Sequence, residues 1–223
     1  MIRSFILLTA LFIATITHAQ TVKWDSTHRP GNYAQRVEQF RSYTNTPGEV
    51  VFLGNSITAG TDWNELLELK NARNRGISGD ITFGVLERLG EVTEGKPSKL
   101  FVLIGINDIA RNIPDSVILD NYKKIIHRVR AASPTTKIYF QTLMPVNNEF
   151  TPFKNHYNKD EHIKAVNDGL KELGKKEKIT IIDLHPHFLD KDARLEKTFT
   201  GDGLHLNPAG YRKWATVLKP YLK

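Results

Sequence analysis

Four short apolar runs recur along the chain, each closed by a turn residue. Residues 50–53 lie between Gly48 and Gly54, residues 100–104 end at Gly105, residues 137–143 precede Pro145, and residues 179–184 precede Pro186. Consecutive apolar positions rich in Val and Ile suit strands covered on both faces rather than strands with one wet face. A fifth, more polar stretch at 71–75 stands just before Gly76. Between these runs the period changes. Residues 81–89 place Val85, Leu86 and Leu89 on one helical face. Residues 115–131 do the same with Ile118, Tyr122, Ile125, Ile126 and Val129, and residues 161–173 with Ile163, Val166, Leu170 and Leu173. A further helix is expected near Tyr33–Ser42, within the polar, Pro- and Gly-punctuated stretch 20–48. Asn207-Pro208 opens the last helix, with Asn as N-cap and Pro at the first helical position. Strands alternating with helices predict an α/β fold with a parallel sheet covered on both faces. Right-handed crossovers make it doubly wound, with the ligand cleft at the carboxyl ends of the strands.

The first twenty residues break this rhythm. Arg3 precedes an almost purely apolar stretch at 5–16, and Thr17-His18-Ala19 closes it with small residues. The stretch is shorter than the roughly 20 residues that span a bilayer. It reads as a signal peptide over 1–19, removed to leave a single domain over 20–223 in a secreted or periplasmic protein; an uncleaved anchor or a core helix is the alternative. No later segment is long and apolar enough for stable membrane insertion. The chain has no Cys, which excludes a thiol nucleophile, a thiolate metal site and a lipid-modified Cys after the leader. An exported protein without disulfides relies on its core, which suits a domain of this size. The formal net charge of +7 is spread among interleaved acids and bases, so no nucleic acid partner is read from it. The densest basic run, 175–178, falls where a helix ends and reads as a solvated helix terminus. Nothing in the sequence sets an oligomeric state.

Candidate chemistry follows the strands. Ser56 comes directly after the first run and before a short helix, so it is either an exposed nucleophile or an N-cap serine. The G-x-S-x-G elbow is absent, because Thr58 takes the second glycine position. A serine needs a general base, usually His, and an acid that orients the imidazole. Asp202 and His205, spaced i, i+3 in a loop loosened by Gly201 and Gly203, could supply both; such pairs also occur as surface caps or metal half-sites. The backbone N–H of Gly79, the Asn107 amide and the Ser56 N–H could form an oxyanion hole. Singly, Gly79 also reads as a turn glycine and Asn107 as a cap. Asp183, His185 and His187 alternate at a strand end, as metal ligands or as loop-lining side chains, and Pro186 breaks the strand between them. The glycines at 76 and 79 lack the G-K-[ST] of a phosphate loop.

Taken together, four blocks resemble those of the SGNH (GDSL-type) hydrolase family, and in particular its short-acyl acetylhydrolase-like branch. Gly54-Asn55-Ser56-Ile57-Thr58 resembles the first block, Asn74-Arg75-Gly76-Ile77-Ser78-Gly79-Asp80 the second, Gly105-Ile106-Asn107-Asp108 the third and Asp202-Gly203-Leu204-His205-Leu206 the fifth. Asn55 stands where the name-giving block has Asp. The likeness runs from residue 50 to the C-terminus. It implies a three-layer α/β/α sandwich around a flavodoxin-like five-stranded sheet of order 2-1-3-4-5. It also implies Ser56 as nucleophile, His205 as base, Asp202 as its orienting acid, and Ser56 N–H, Gly79 N–H and the Asn107 amide as oxyanion donors. No metal or organic cofactor is implied.

The substrate is less legible. Residues 145–160 form a polar-aromatic segment carrying Phe150, Phe153, His156 and Tyr157, the kind of long loop that often walls an active site. Trp63 is a further candidate lining residue. Aromatic faces among Asn and His donors suit sugars, although each could equally be core. With export and the short-acyl resemblance, they predict a serine esterase that removes O-acetyl groups from extracytoplasmic glycans. A lysophospholipase or thioesterase for longer acyl chains is the alternative enzyme, and a non-catalytic glycan-binding protein the alternative of another class. As a base, His205 would make activity fall in acid.

Overall fold

The computed structural model describes residues 23–223, and the expected signal peptide over 1–19 lies outside them. The elements run α1 (Tyr33–Ser42), β1 (Val50–Gly54), α2 (Ser56–Ala59), α3 (Trp63–Leu67), β2 (Ala72–Gly76), α4 (Thr82–Thr93), β3 (Lys99–Leu103), α5 (Ile106–Ala110), α6 (Asp115–Ala132), β4 (Lys137–Gln141), α7 (Asp160–Glu177), β5 (Thr180–Ile182) and α8 (Pro208–Leu222). The sheet is parallel throughout, with order β2-β1-β3-β4-β5. This is the expected three-layer α/β/α arrangement. Order reverses at β1 and β3, which puts the switch-point crevice beside the end of β1.

Every residue of β1 and β3 is buried, as their unbroken apolar runs require. One sheet face is aromatic. Phe52, Phe101 and Tyr139 lie side by side in register, with ring centroids 5.0 and 4.7 Å apart. Trp63 of α3 stacks on Phe52 at 4.0 Å, and Trp214 of α8 meets Trp63 edge-on at 4.7 Å. Strand alternation turns Val51, Leu53, Leu100 and Val102 to the other face, where α4, α6 and α7 pack side by side.

The polar fifth stretch is indeed a strand, β2, and its arginines explain why it reads poorly. Arg75 is buried, paired with Glu91 at 3.0 Å and stacked over Phe40 of α1 at 5.0 Å. Arg88 of α4 joins the same network. It meets Asp80 at 2.9 Å and Glu91 at 3.1 Å, and its Nη2 donates to the carbonyls of Gly54 and Arg75. A buried guanidinium thus ties together the carboxyl ends of β1 and β2, next to where Ser56 begins. Its cost of burial is offset because each of its three guanidinium nitrogens reaches an acceptor, two of them carboxylates. The last apolar run extends past its strand: β5 stops at Ile182, and Leu184 enters the core from the following turn.

Candidate active site

Ser56 is the first residue of α2, immediately beyond β1. Asn55 precedes it as N-cap, its side-chain oxygen accepting the Ile57 N–H at 3.0 Å, so this residue rather than Ser56 caps the helix. That leaves the serine hydroxyl unengaged by its own helix. It donates instead to His205 Nε2 at 2.9 Å, across 149 positions of sequence.

The Asp202–His205 loop is built from its own hydrogen bonds. His205 Nδ1–H donates to Asp202 Oδ2 at 2.8 Å, while Asp202 Oδ1 accepts the N–H groups of Leu204 and His205 at 2.9 and 2.8 Å. The Thr200 hydroxyl accepts from the N–H of Asp202 and of Gly203 and donates to the His205 carbonyl. Gly203 takes φ +81, and a Cβ there would come within 2.4 Å of the Asn147 carbonyl oxygen. Two residues after His205, Asn207 accepts from the N–H of Ala209 and Gly210 and starts α8. Burial pushes the Asp202 carboxyl up, but the backbone N–H groups of His205 and Leu204 and the His205 ring outweigh it and hold its pKa below the ordinary carboxylate value. Asp202 is therefore ionised at neutral pH, and it selects the tautomer that leaves Nε2 free to accept the serine proton.

Opposite this loop stand the candidate oxyanion donors. Gly79 sits at φ +80, which L side chains rarely adopt, and a Cβ there would lie 3.3 Å from Pro30. Among the described residues, no acceptor is paired with the backbone N–H of Ser56 or of Gly79. Asn107, in α5, is buried; its Nδ2 donates to the Asp80 carbonyl at 2.9 Å and its Oδ1 accepts from His156 Nε2 at 2.9 Å. One Asn107 amide hydrogen remains for a ligand. The His156 pKa is lowered to about 4, by burial first and then by the nearby His205 and Arg111, so this imidazole is neutral.

These groups share one cavity of about 440 Å³, into which Ser56, Gly79, Asn107 and His205 all open. Phe153, Leu204 and Ala110 supply its apolar wall, and Ser78, Arg111, Asn155 and His156 supply polar groups. The Phe153 ring stands edge-to-face with His205, centroids 4.8 Å apart.

Of the aromatic residues expected to line the site, Phe153 does so and three others do not. Trp63 is 1% exposed, sandwiched in the aromatic core, with its indole N–H on the Thr58 carbonyl. Tyr157 is buried, and its hydroxyl donates to the Asp202 carbonyl. Phe150 packs against Gly203 behind the catalytic loop. All three hold the site from outside the cavity: Trp63 and Tyr157 are buried with their polar tips satisfied, and Phe150 packs against the Gly203 backbone. Asp183 pairs with Lys171 at 2.7 Å, and His185 Nδ1 lies 2.9 Å from the Leu143 carbonyl. Among the described residues, no three His, Asp or Glu side chains form a metal-ligand group. Arg111, Thr200 and Leu204 are site residues that sequence reasoning missed. Their only signal was position: Arg111 falls one turn after Asn107, Thr200 two residues before Asp202, and Leu204 between Asp202 and His205.

Residues 52–213 match the GDSL-like Lipase/Acylhydrolase family, so the chain belongs to that family and is a carboxylic ester hydrolase. The platelet-activating factor acetylhydrolase IB subunit alpha2 of Rattus norvegicus is 28% identical over 179 residues, 77% of this chain and 73% of that protein. A solved structure from Streptococcus pneumonia, described as a candidate platelet activating factor, superposes with a TM-score of 0.79 at 28% identity, covering 86% of this chain and 93% of the other. The fold is also that of the acetyl xylan esterase AlAXEase, with TM-score 0.66, 20% identity, and 78% and 100% of the two chains covered. Among the described residues, no helix is long and apolar enough to cross a membrane.

Proposed function

We propose that this protein hydrolyses short-chain, chiefly acetyl, esters through an acyl-enzyme on Ser56, and that its substrates are O-acetylated carbohydrates outside the cytoplasm. The observation that carries the reading is the hydrogen-bonded chain Ser56 Oγ, His205 Nε2, His205 Nδ1, Asp202 Oδ2, opening into the same cavity as Gly79 and Asn107. Ser56 Oγ attacks the ester carbonyl as its proton passes to His205 Nε2. The negative charge that develops on the carbonyl oxygen is met by the N–H groups of Ser56 and Gly79 and the free hydrogen of the Asn107 amide. Collapse breaks the C–O bond to the alcohol, which leaves with the proton from His205. Water then repeats the sequence on the acyl-enzyme, and the acid departs.

The acetyl preference draws support from two similar proteins whose names specify acetyl ester hydrolysis, one of them on xylan. Hydroxyl-rich leaving groups suit the polar side of the cleft, where Ser78, Asn155 and Arg111 offer donors. The leader-like residues 1–19 support the reading of export. The test is hydrolysis of p-nitrophenyl acetate by the protein beside its Ser56→Ala variant, with an acyl series up to decanoate and acetate release from acetylated xylo-oligosaccharides. Loss of turnover in the variant, activity falling with chain length and release of acetate support the reading. Equal activity in both proteins removes Ser56 as nucleophile. Activity rising toward decanoate favours the lysophospholipase or thioesterase alternative.

A further inference from the structure

We infer that His156 is a positioning residue of the oxyanion hole, orienting and polarising the Asn107 amide; the inference rests on the catalytic reading just given. A side-chain amide has two similar faces, and only one of them can stabilise an oxyanion. If the Asn107 side chain were flipped, its oxygen would face the cleft and repel the developing charge. Two partners decide the orientation. The Asp80 carbonyl, an obligate acceptor, claims one hydrogen of Nδ2 at 2.9 Å. His156 Nε2, at 2.9 Å, faces Oδ1. An amide oxygen can only accept, so His156 is in the Nε2–H tautomer and Nδ1 holds the lone pair. The second Nδ2 hydrogen is then the only amide group left for the cleft. Donation into the C=O end also draws electron density through the amide and strengthens its N–H as a donor, as chains of hydrogen bonds do in a low-dielectric site.

The surroundings of His156 support this role over a rival one as base. Its Nε2 is engaged by Asn107, and its Nδ1 is buried with no hydrogen-bond partner. Neither nitrogen is bonded to Ser56, whose hydroxyl is already held by His205. Neutrality matters as well: His205 becomes an imidazolium in each half-reaction, and a second cation in the same cavity would oppose it. Burial and the neighbouring His205 and Arg111 keep His156 uncharged.

The chain places this imidazole deliberately. The His156 N–H closes a turn onto the Phe153 carbonyl at 2.8 Å, and Phe153 meets the His156 ring edge-on. The next residue, Tyr157, is buried and bonded to the Asp202 carbonyl. The five residues 153–157 therefore grip the acid of the triad with one side chain and the oxyanion amide with its neighbour. The spacing between the two halves of the site is set through them.

The test is steady-state kinetics on p-nitrophenyl acetate with His156→Leu, His156→Gln, Asn107→Ala and the His156→Leu/Asn107→Ala double variant. We expect His156→Leu to lower kcat about 10- to 100-fold with KM within about threefold, since only the transition state carries an oxyanion. Glutamine can present an amide N–H near the position of Nε2, so His156→Gln should recover most of the rate. The double variant should be no slower than Asn107→Ala alone, because His156 acts only through that amide. Multiplying losses in the double variant, or a His156→Gln as slow as His156→Leu, would overturn the inference. If His156→Leu does not fold, His156→Met, which fills similar space without an N–H, gives the same readout. Should Ser56→Ala and Asn107→Ala both keep full activity, the catalytic reading itself fails. If those two collapse while His156→Leu does not, only the role of His156 fails.

Discussion

The two walls of the cleft are assembled in opposite ways. The Asp202–His205 wall comes from one short length of chain, whose Thr200, Asp202 and Gly203 hydrogen bonds close on one another before α8 begins. The Asn107 wall draws on segments far apart in sequence: Asp80 after β2, Asn107 after β3 and His156 after β4, with Arg88 bracing the strand ends behind them. The local wall carries most of its own hydrogen bonds, and the 145–160 segment adds only outer supports, the Tyr157 hydroxyl on the Asp202 carbonyl and the Asn147 N–H on the Gly203 carbonyl. A non-local wall keeps its geometry only while the whole sheet edge and the 145–160 segment stay packed. The acid–base half of the site should therefore fail chiefly through changes in its own residues, whereas the oxyanion half should fail as readily through residues that never touch a substrate.

The sharpest test of the local wall is Asp202→Asn. Its amide nitrogen would disfavour the His205 tautomer that accepts the serine proton, so kcat should fall about 10⁴-fold with the melting temperature little changed. A loss under tenfold would mean that the loop orients His205 without its acid. On the other wall, Asn107→Ala removes one oxyanion donor and should cost about 10²- to 10³-fold in kcat with KM nearly constant. A rise in KM with kcat unchanged would instead make Asn107 a ground-state contact. Thr200→Val tests whether the local loop is self-supporting. It strands the N–H of buried Gly203, and unfolding in urea should show a loss of about 1–3 kcal/mol, with a smaller drop in kcat than for either variant above.

The last effect concerns pH and is read in stability alone. His156 titrates at about 4 in the folded protein, below an ordinary histidine. Between that value and about 6.5 the unfolded chain binds the proton and the folded one does not, so stability is lost as pH falls through this window. Melting temperatures measured from pH 7 down to 4 should decline less steeply in His156→Gln than in the parent protein. Parallel curves would show that His156 does not carry the shift. The melting point of Thr200→Val should, by contrast, be depressed at every pH.

Much of the architecture could be read from hydrophobic spacing. Residues 50–53 of β1 and 100–103 of β3 are apolar at every position because both faces are covered, the expected face of α6 is buried throughout, and that of α7 is buried except at Leu173, which is partly buried. The β2 strand was faint, since Arg73 and Arg75 serve ion pairs that alternation cannot reveal. The polar blocks at the strand ends could be picked out as candidates for the same geometric reason that they meet: in a doubly wound sheet, loops after successive strands share one rim. The aromatic residues were where spacing failed. Trp63, Phe150, Phe153 and Tyr157 look alike in a linear sequence, yet only Phe153 faces the cavity.

What residue order settles in this protein is whatever depends on near neighbours and periodicity: which segments are strands or helices, their parallel winding, and an Asp and His close enough to bond within one loop. What folding alone decides is which side of a wall each ring takes and which partner completes each amide. Those outcomes depend on groups 27 to 149 positions apart competing for the same space and the same hydrogen bonds. A buried donor goes to whichever acceptor the finished packing brings within reach, and no local pattern records that choice.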